Sequence, residues 1–289
     1  MDPFTVVLRE LLAGQLAHWT RVTLRGTRRA TFVFSGGDEV AARRALEVFN
    51  HFGDLLRGRQ LTTILLGRDA TTLAVRHAQA PFAVYGVPGD ADSLPVATKA
   101  AMAAGAPILA YVDARGATLP GDKALAAVRG GRPGEVLLVR AKTEADQLRP
   151  ALDAAGFRLV TETELVSRDH ATLVAFATSS GKSLTAFKDA LWAAGEHGDV
   201  GLRDPRDPGA PILKPASEPE LAPLREALLA RLAETGPVTV AELRQFAAAE
   251  TIYRPMDVNT VLTALVASGA VAREPAEGRL GGDVLIRLA

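Results

Sequence analysis

Four short stretches place residues suited to ligand chemistry at the ends of apolar runs. In Phe34-Ser35-Gly36-Gly37-Asp38, two glycines stand between an apolar run and a helical pattern. Glycines there let a backbone approach a ligand while the next helix presents its N-terminus, although the same pair also serves an ordinary turn. Leu66-Gly67-Arg68-Asp69 offers Asp69, whose two oxygens could accept from both hydroxyls of a ribose, or which could cap the helix expected from residue 71. In Val87-Pro88-Gly89-Asp90-Ala91-Asp92-Ser93, Asp90 or Asp92 suits an adenine amino group, and Asp92 or Ser93 equally suits a helix N-cap. Tyr111-Val112-Asp113-Ala114-Arg115-Gly116 puts Asp113 at the carboxyl end of a strand, where open α/β sheets bind ligands. Asp113 with Arg115 is therefore the candidate catalytic pair, the alternative being a surface ion pair across the loop.

Other chemistries are excluded by what the chain lacks. It has no cysteine, so disulfides, thiolate zinc sites, iron–sulfur clusters and cysteine nucleophiles are ruled out. Its five histidines (18, 51, 77, 170 and 197) show no ligand spacing, no Ser/His/Asp arrangement is found, and His170 reads as a solvated turn residue. No metal is expected. Thirty-three basic residues balance thirty-three acidic ones, so no global field draws the chain to nucleic acid or an anionic membrane, and any such binding must be local. The first twelve residues lack the basic start and apolar run of a signal peptide, and no stretch nears the roughly 20 apolar residues of a membrane span. A cytoplasmic, non-membrane chain is expected.

The elements that must position these residues follow from periodicity. Strands are expected at residues 31–34, 61–66, 82–85, 108–112, 136–139, 158–165 and 172–178. Helical patterns at 40–51, 71–79, 94–104 and 122–129 separate the first five, which should therefore run parallel. A further helix at 144–155 leads to the last two strands, joined only by residues 166–171, which suits a hairpin and makes one strand antiparallel. That order is the one expected of a class I methyltransferase-like, seven-stranded Rossmann-type α/β sheet. Helices at 5–21 and 184–194 flank it.

Residues 1–197 thus form an α/β domain. Residues 198–219 carry five prolines and three glycines and read as a linker. Residues 220–289 give helices at 221–232, 240–248 and 256–268 and strands at 270–273 and 284–288, the pattern of a winged-helix domain. From residue 217 onward there are seven arginines against ten acidic residues, net −3, and the helix at 256–268 offers only Asn259, Thr260 and Thr263 to a groove. A duplex binder should be basic, so protein contact is favoured over DNA.

Residues 171–192 hold Phe176-Ala177-Thr178, then Lys188 and Trp192. This stretch resembles three-Cys-motif partner proteins, in which a strand ending Phe-Ala-(Thr/Ser) leads to a lysine and a helix ending in tryptophan. Thr251-Ile252-Tyr253-Arg254, followed by Asn259, Leu262, Leu265 and Gly269, looks like that family's winged helix, and residues 111–116 look like its Leu-Asp-Pro-(Phe/Tyr)-Gly turn. The resemblance implies S-adenosylmethionine as cofactor, held by Ser35, Gly36, Gly37, Asp69, Asp90 and Asp92. It also implies a partner, a co-encoded radical-SAM-like protein with three cysteines; a homodimer is the other expected assembly. The family's Asp-Leu-Phe-Ala-Gly-x-Gly motif is Phe32-Val33-Phe34-Ser35-Gly36-Gly37 here, without its acid, and Ala114 replaces the proline. A noncatalytic, partner-binding methyltransferase homologue is therefore expected ahead of an active transferase.

Overall fold

Valine- and leucine-rich runs without polar alternation must be buried on both faces, which is the condition of a parallel sheet covered by helices. The computed structural model describes residues 2–143, 148–168 and 170–289. Helix α1 (Pro3–Gly26) precedes β1 (Arg29–Ser35), α2 (Glu39–Asn50), α3 (Gly53–Leu56), β2 (Gln60–Leu66), α4 (Ala70–Arg76) and β3 (Ala83–Val87). There follow α5 (Leu94–Ala100), β4 (Ile108–Asp113), α6 (Asp122–Arg129), β5 (Gly134–Ala141), α7 (Arg149–Ala154), β6 (Leu159–Ser167), β7 (His170–Thr178), α8 (Gly181–Gly195) and β8 (Gly201–Arg203).

The strand order is β3-β2-β1-β4-β5-β7-β6-β8. Strands β1 to β5 are parallel, and β7 runs antiparallel to both β5 and β6. This is a class I methyltransferase-like Rossmann α/β fold. Phe82 lies just outside β3 and packs edge-on against Phe49. Of the helix expected at 144–155, residues 144–147 lie outside the described residues and α7 accounts for the rest.

Residues 198–219 are not a free linker, and the sheet has eight strands rather than seven. Leu202 and Leu213 exchange two backbone hydrogen bonds of 2.8 Å and are both buried, while Arg203 pairs with the buried Glu164 of β6. The prolines that suggested a spacer fall where the ladder needs no N–H from them. Gly201 faces Ile212 so closely that no Cβ would fit.

The last 70 residues form α9 (Ala222–Thr235), β9 (Val238–Thr239), α10 (Val240–Glu250), α11 (Pro255–Ala267), β10 (Val271–Glu274) and β11 (Leu285–Leu288), with strand order β10-β11-β9. This unit is clamped to the sheet domain rather than tethered to it. Lys188 and Trp192, one turn apart on α8, donate to successive carbonyls at the end of α10: Nζ to Thr251 at 2.6 Å and Nε1 to Ile252 at 2.9 Å. Asp257 grips the Arg254 guanidinium, which stacks over the Trp192 ring at 4.6 Å. Arg149 reaches across to the Ala249 carbonyl at 2.7 Å, and Arg206 to Glu250. Two of the three sequence stretches that carried the family resemblance therefore meet in space, and the lysine and tryptophan of the first close the junction.

Burial pushes the Lys188 ammonium down to about 7, against an ordinary value of 10.5. The folded chain thus binds fewer protons than the unfolded one between those values, so this side chain's contribution to stability is complete above about 10.5 and is lost as the pH falls towards 7. The expected outcome is a melting temperature that rises from pH 7 to pH 9 more steeply in the wild type than in Lys188→Met. Parallel profiles in scanning calorimetry would show that Lys188 is not buried as described.

Candidate functional site

The strand order reverses at β1, which pairs with β2 on one side and β4 on the other, and ligands of such sheets bind beyond the carboxyl ends at that point. Ser35 there lies opposite both Leu66 and Val112. A cleft of about 1460 Å³ opens above it. Its walls include Ser35, Gly36, Gly37, Asp90, Asp113 and Arg115, so six of the eight expected site residues come together. Asp69 and Asp92 are not among its lining. Gly36 sits so close to β4 that an added Cβ would stand 3.0 Å from that of Asp113.

Asp38 caps α2, accepting from the Ala41 amide at 3.0 Å, and takes the Arg9 guanidinium of α1 on both oxygens at 2.8 Å. Burial pushes its carboxyl up, but the Arg9 and Ala41 bonds outweigh burial and hold it below the usual carboxylate range. Neighbouring Glu39 faces outward and pairs with Arg76 at 3.0 Å. The two acids that could have replaced the missing one before Gly36 are therefore committed. Nothing in the sequence pairs Asp38 with a residue twenty-nine positions earlier.

Asp113 is also taken. The Arg115 guanidinium holds it through Nε at 3.0 Å and Nη2 at 2.7 Å, and spends Nη1 on Asp2 at the start of α1 at 3.0 Å. The pairing of Asp113 with Arg115 across the loop is present, but not at the surface, since the Asp113 side chain is only 8% exposed, and Asp2 joins it from the far end of the chain. Arg115 is thus half-buried between two carboxylates, and Tyr111 beneath stacks on Phe34 at 5.2 Å. Burial first, then the Asp113 charge, pushes the Tyr111 hydroxyl up, so it stays protonated.

At the end of β2 the cleft is lined by Gly67 and Arg68, and exposed Asp69 stands at the N-terminus of α4 without a side-chain capping bond. Beyond β3, Asp90 accepts from the Asp92 amide at 3.0 Å, and Asp92 accepts from the Gly121 amide at 3.0 Å. Both aspartates shape the turn between β3 and α5. Of the five carboxylates lining the cleft, Asp2, Asp38, Asp90 and Asp113 are engaged within the chain, and Asp199 stands exposed beside the β6–β7 hairpin.

S-adenosylmethionine carries two positive centres and a diol, which call for an acid at the end of β1 and another at the end of β2. The end of β1 supplies Ser35 and two glycines but no acid, and the residue aligned with the acid of the motif it resembles is Phe32, within β1, fully buried and packed edge-on against Phe49 at 5.4 Å. The second position presents a cation, Arg68. The donor set does not fit that cofactor. Among the described residues, no group of His, Asp and Glu could hold a metal ion, and no helix is long and apolar enough to cross a membrane.

No protein-family model matches the chain, and no curated protein matches it in sequence. Among solved structures it is similar to the CurJ carbon methyltransferase, at 15% identity over 52% of this chain and 48% of that one, with a TM-score of 0.38. It is similar to spermidine synthase from Thermotoga maritima, at 14% identity over 62% of each chain and a TM-score of 0.35. The O-methyltransferase TomG from Streptomyces achromogenes, solved with SAM, gives 18% identity over 58% of this chain and 79% of that one, with a TM-score of 0.34. The chain spans about half the length of the CurJ protein. With TM-scores of this size, the fold assignment rests on the strand order.

Because Asp38 caps α2 and anchors α1, Asp38→Ala is expected to cost about 1–2 kcal/mol from the lost cap alone. Glu39→Ala, which removes an exposed pair, should cost under about 1 kcal/mol. Urea denaturation of both variants checks the order, and equal losses would show that the Arg9 pair and the cap contribute no more than an exposed ion pair.

Proposed function

We propose that this chain is a diverged, noncatalytic class I methyltransferase homologue of the three-Cys-motif partner type, acting by binding another protein. The observation that supports this reading is the commitment of the two carboxylates at the switch point: Arg9 holds Asp38 and Arg115 holds Asp113, which withdraws both as base or counter-charge for a sulfonium cofactor. The last 70 residues are read as a winged helix used for protein contact. Arg244 is held by Asn259 at 2.7 Å, Arg254 by Asp257, and Arg273 by carbonyls of its own wing, so these three are withdrawn from phosphate contact. The exposed face of α11 carries Met256, Thr260 and Thr263, an uncharged surface. Its partner would be a co-encoded three-cysteine radical-SAM-like protein, or a second copy of the chain, in the cytoplasm.

An active transferase is the second reading, favoured by the size and position of the cleft. Calorimetric titration separates the two. The expected outcome is no heat from S-adenosylmethionine or S-adenosylhomocysteine up to millimolar concentration, together with a stable complex with the co-encoded protein. Micromolar binding, with methyl transfer abolished by Asp113→Asn, would overturn the noncatalytic reading.

A further inference from the structure

The chain's zero net charge conceals a strong asymmetry along the strand axis. At the carboxyl edge of the sheet, acidic and basic residues alternate and pair. At the opposite edge, where the strands begin, the turn into β1 carries Arg25, Arg28 and Arg29, and the turn into β2 carries Arg57 and Arg59. The turn into β5 adds Arg132 and the turn into β6 adds Arg158. These seven arginines face one acid on the same turns, Asp54, whose pair with Arg57 is almost fully solvated. Arg59 gives one guanidinium nitrogen to the Thr27 carbonyl at 2.6 Å. The side chains of Arg25, Arg28, Arg29, Arg132 and Arg158 are exposed and make no hydrogen bond or ion pair among the described residues.

We propose that this edge of the sheet binds the phosphate backbone of a nucleic acid, without reading its sequence. The topology sets the arginines in a row from β2 through β1 and β5 to β6, five strand spacings or about 24 Å. That is the length of about seven nucleotides at 3.4 Å each. All the cations on these turns are arginine, whose planar fork takes a phosphate bidentately where lysine offers a point charge. Among them lie Gly26 and Gly58, exposed and with nothing within 4 Å of where a Cβ would stand, which leave the backbone open to close approach. The N-terminus of α8, capped by Ser180, opens on the same edge and adds to the positive field. A membrane surface is disfavoured because, among the described residues, the turns into β1, β2, β5 and β6 carry no exposed large apolar side chain. This surface is independent of the cleft and of its fate as a catalytic site.

The test is fluorescence anisotropy of the full chain with a labelled 20-nucleotide single strand and a 20-base-pair duplex, each of mixed sequence, from 50 to 300 mM salt. The expected dissociation constant at 50 mM salt is about 1–100 μM, rising steeply with added salt. Arg28→Glu with Arg29→Glu, and Arg132→Glu with Arg158→Glu, should each weaken binding at least about tenfold and reduce the salt slope by about one per arginine. Arg279→Glu with Arg287→Glu, on the C-terminal unit, should leave it unchanged. Melting curves confirm that the variants fold, and glutamine pairs at the same positions replace any that do not. No binding at 50 mM salt, an equal loss in the C-terminal variant, or capture by phosphatidylserine vesicles without nucleic-acid binding would overturn the proposal.

Discussion

The ion pair between Arg9 and Asp38 ties together the parts that define the upper end of the molecule. Asp38 closes the first turn of α2, and through Arg9 it fixes the long first helix across the mouth of the cleft. With α1 so placed, Asp2 at its start reaches Arg115, which in turn holds Asp113. The same helix then packs along α8, where a Cβ added to Gly14 would stand 3.2 Å from that of Ala190. Fixing α1 therefore neutralises the switch point and positions the helix on which the C-terminal unit is clamped.

A half-buried pair of this kind contributes modestly to stability, since the cost of removing both charges from water offsets much of their attraction. Its larger effect is on what the cleft can bind. In a low-dielectric pocket, a free carboxylate would attract a cationic ligand strongly, while one already bonded to a guanidinium offers little further attraction. The fold retains the crevice that its strand order creates, and the chain's own arginines occupy the charges that would have made it selective.

The junction between the two units follows another logic. Lysine and tryptophan on α8 bury their stems and rings against the C-terminal unit and place single donors on carbonyls left over at the end of α10. Both halves of that contact are needed, because α10 without these donors would expose unpaired carbonyls and α8 without α10 would bury an uncompensated amine. The neutral overall charge conceals a comparable division of labour, with paired charges around the cleft and unpaired arginines at the far edge.

Periodicity alone determined the parallel core, the crossover helices and the final hairpin, because a run buried on both faces is apolar throughout and the six residues 166–171 leave no room for a crossover. It also brought Ser35, Gly36, Gly37, Asp90, Asp113 and Arg115 to one edge, since each stands at the end of a strand. It misread residues 198–219, where prolines suggested a spacer; Leu202 and Leu213 were too few to announce a strand, and only the exposed flank of β6 turned them inward. The resemblance implied Asp69 and Asp92 as cofactor residues as well, but Asp69 stands at the start of α4 and Asp92 accepts from the Gly121 amide, both outside the cleft lining. The pairing of Arg9 with Asp38 and of Arg115 with Asp2 depends on how α1 crosses the sheet. That crossing is set by packing between residues far apart in the chain, and no local pattern encodes it.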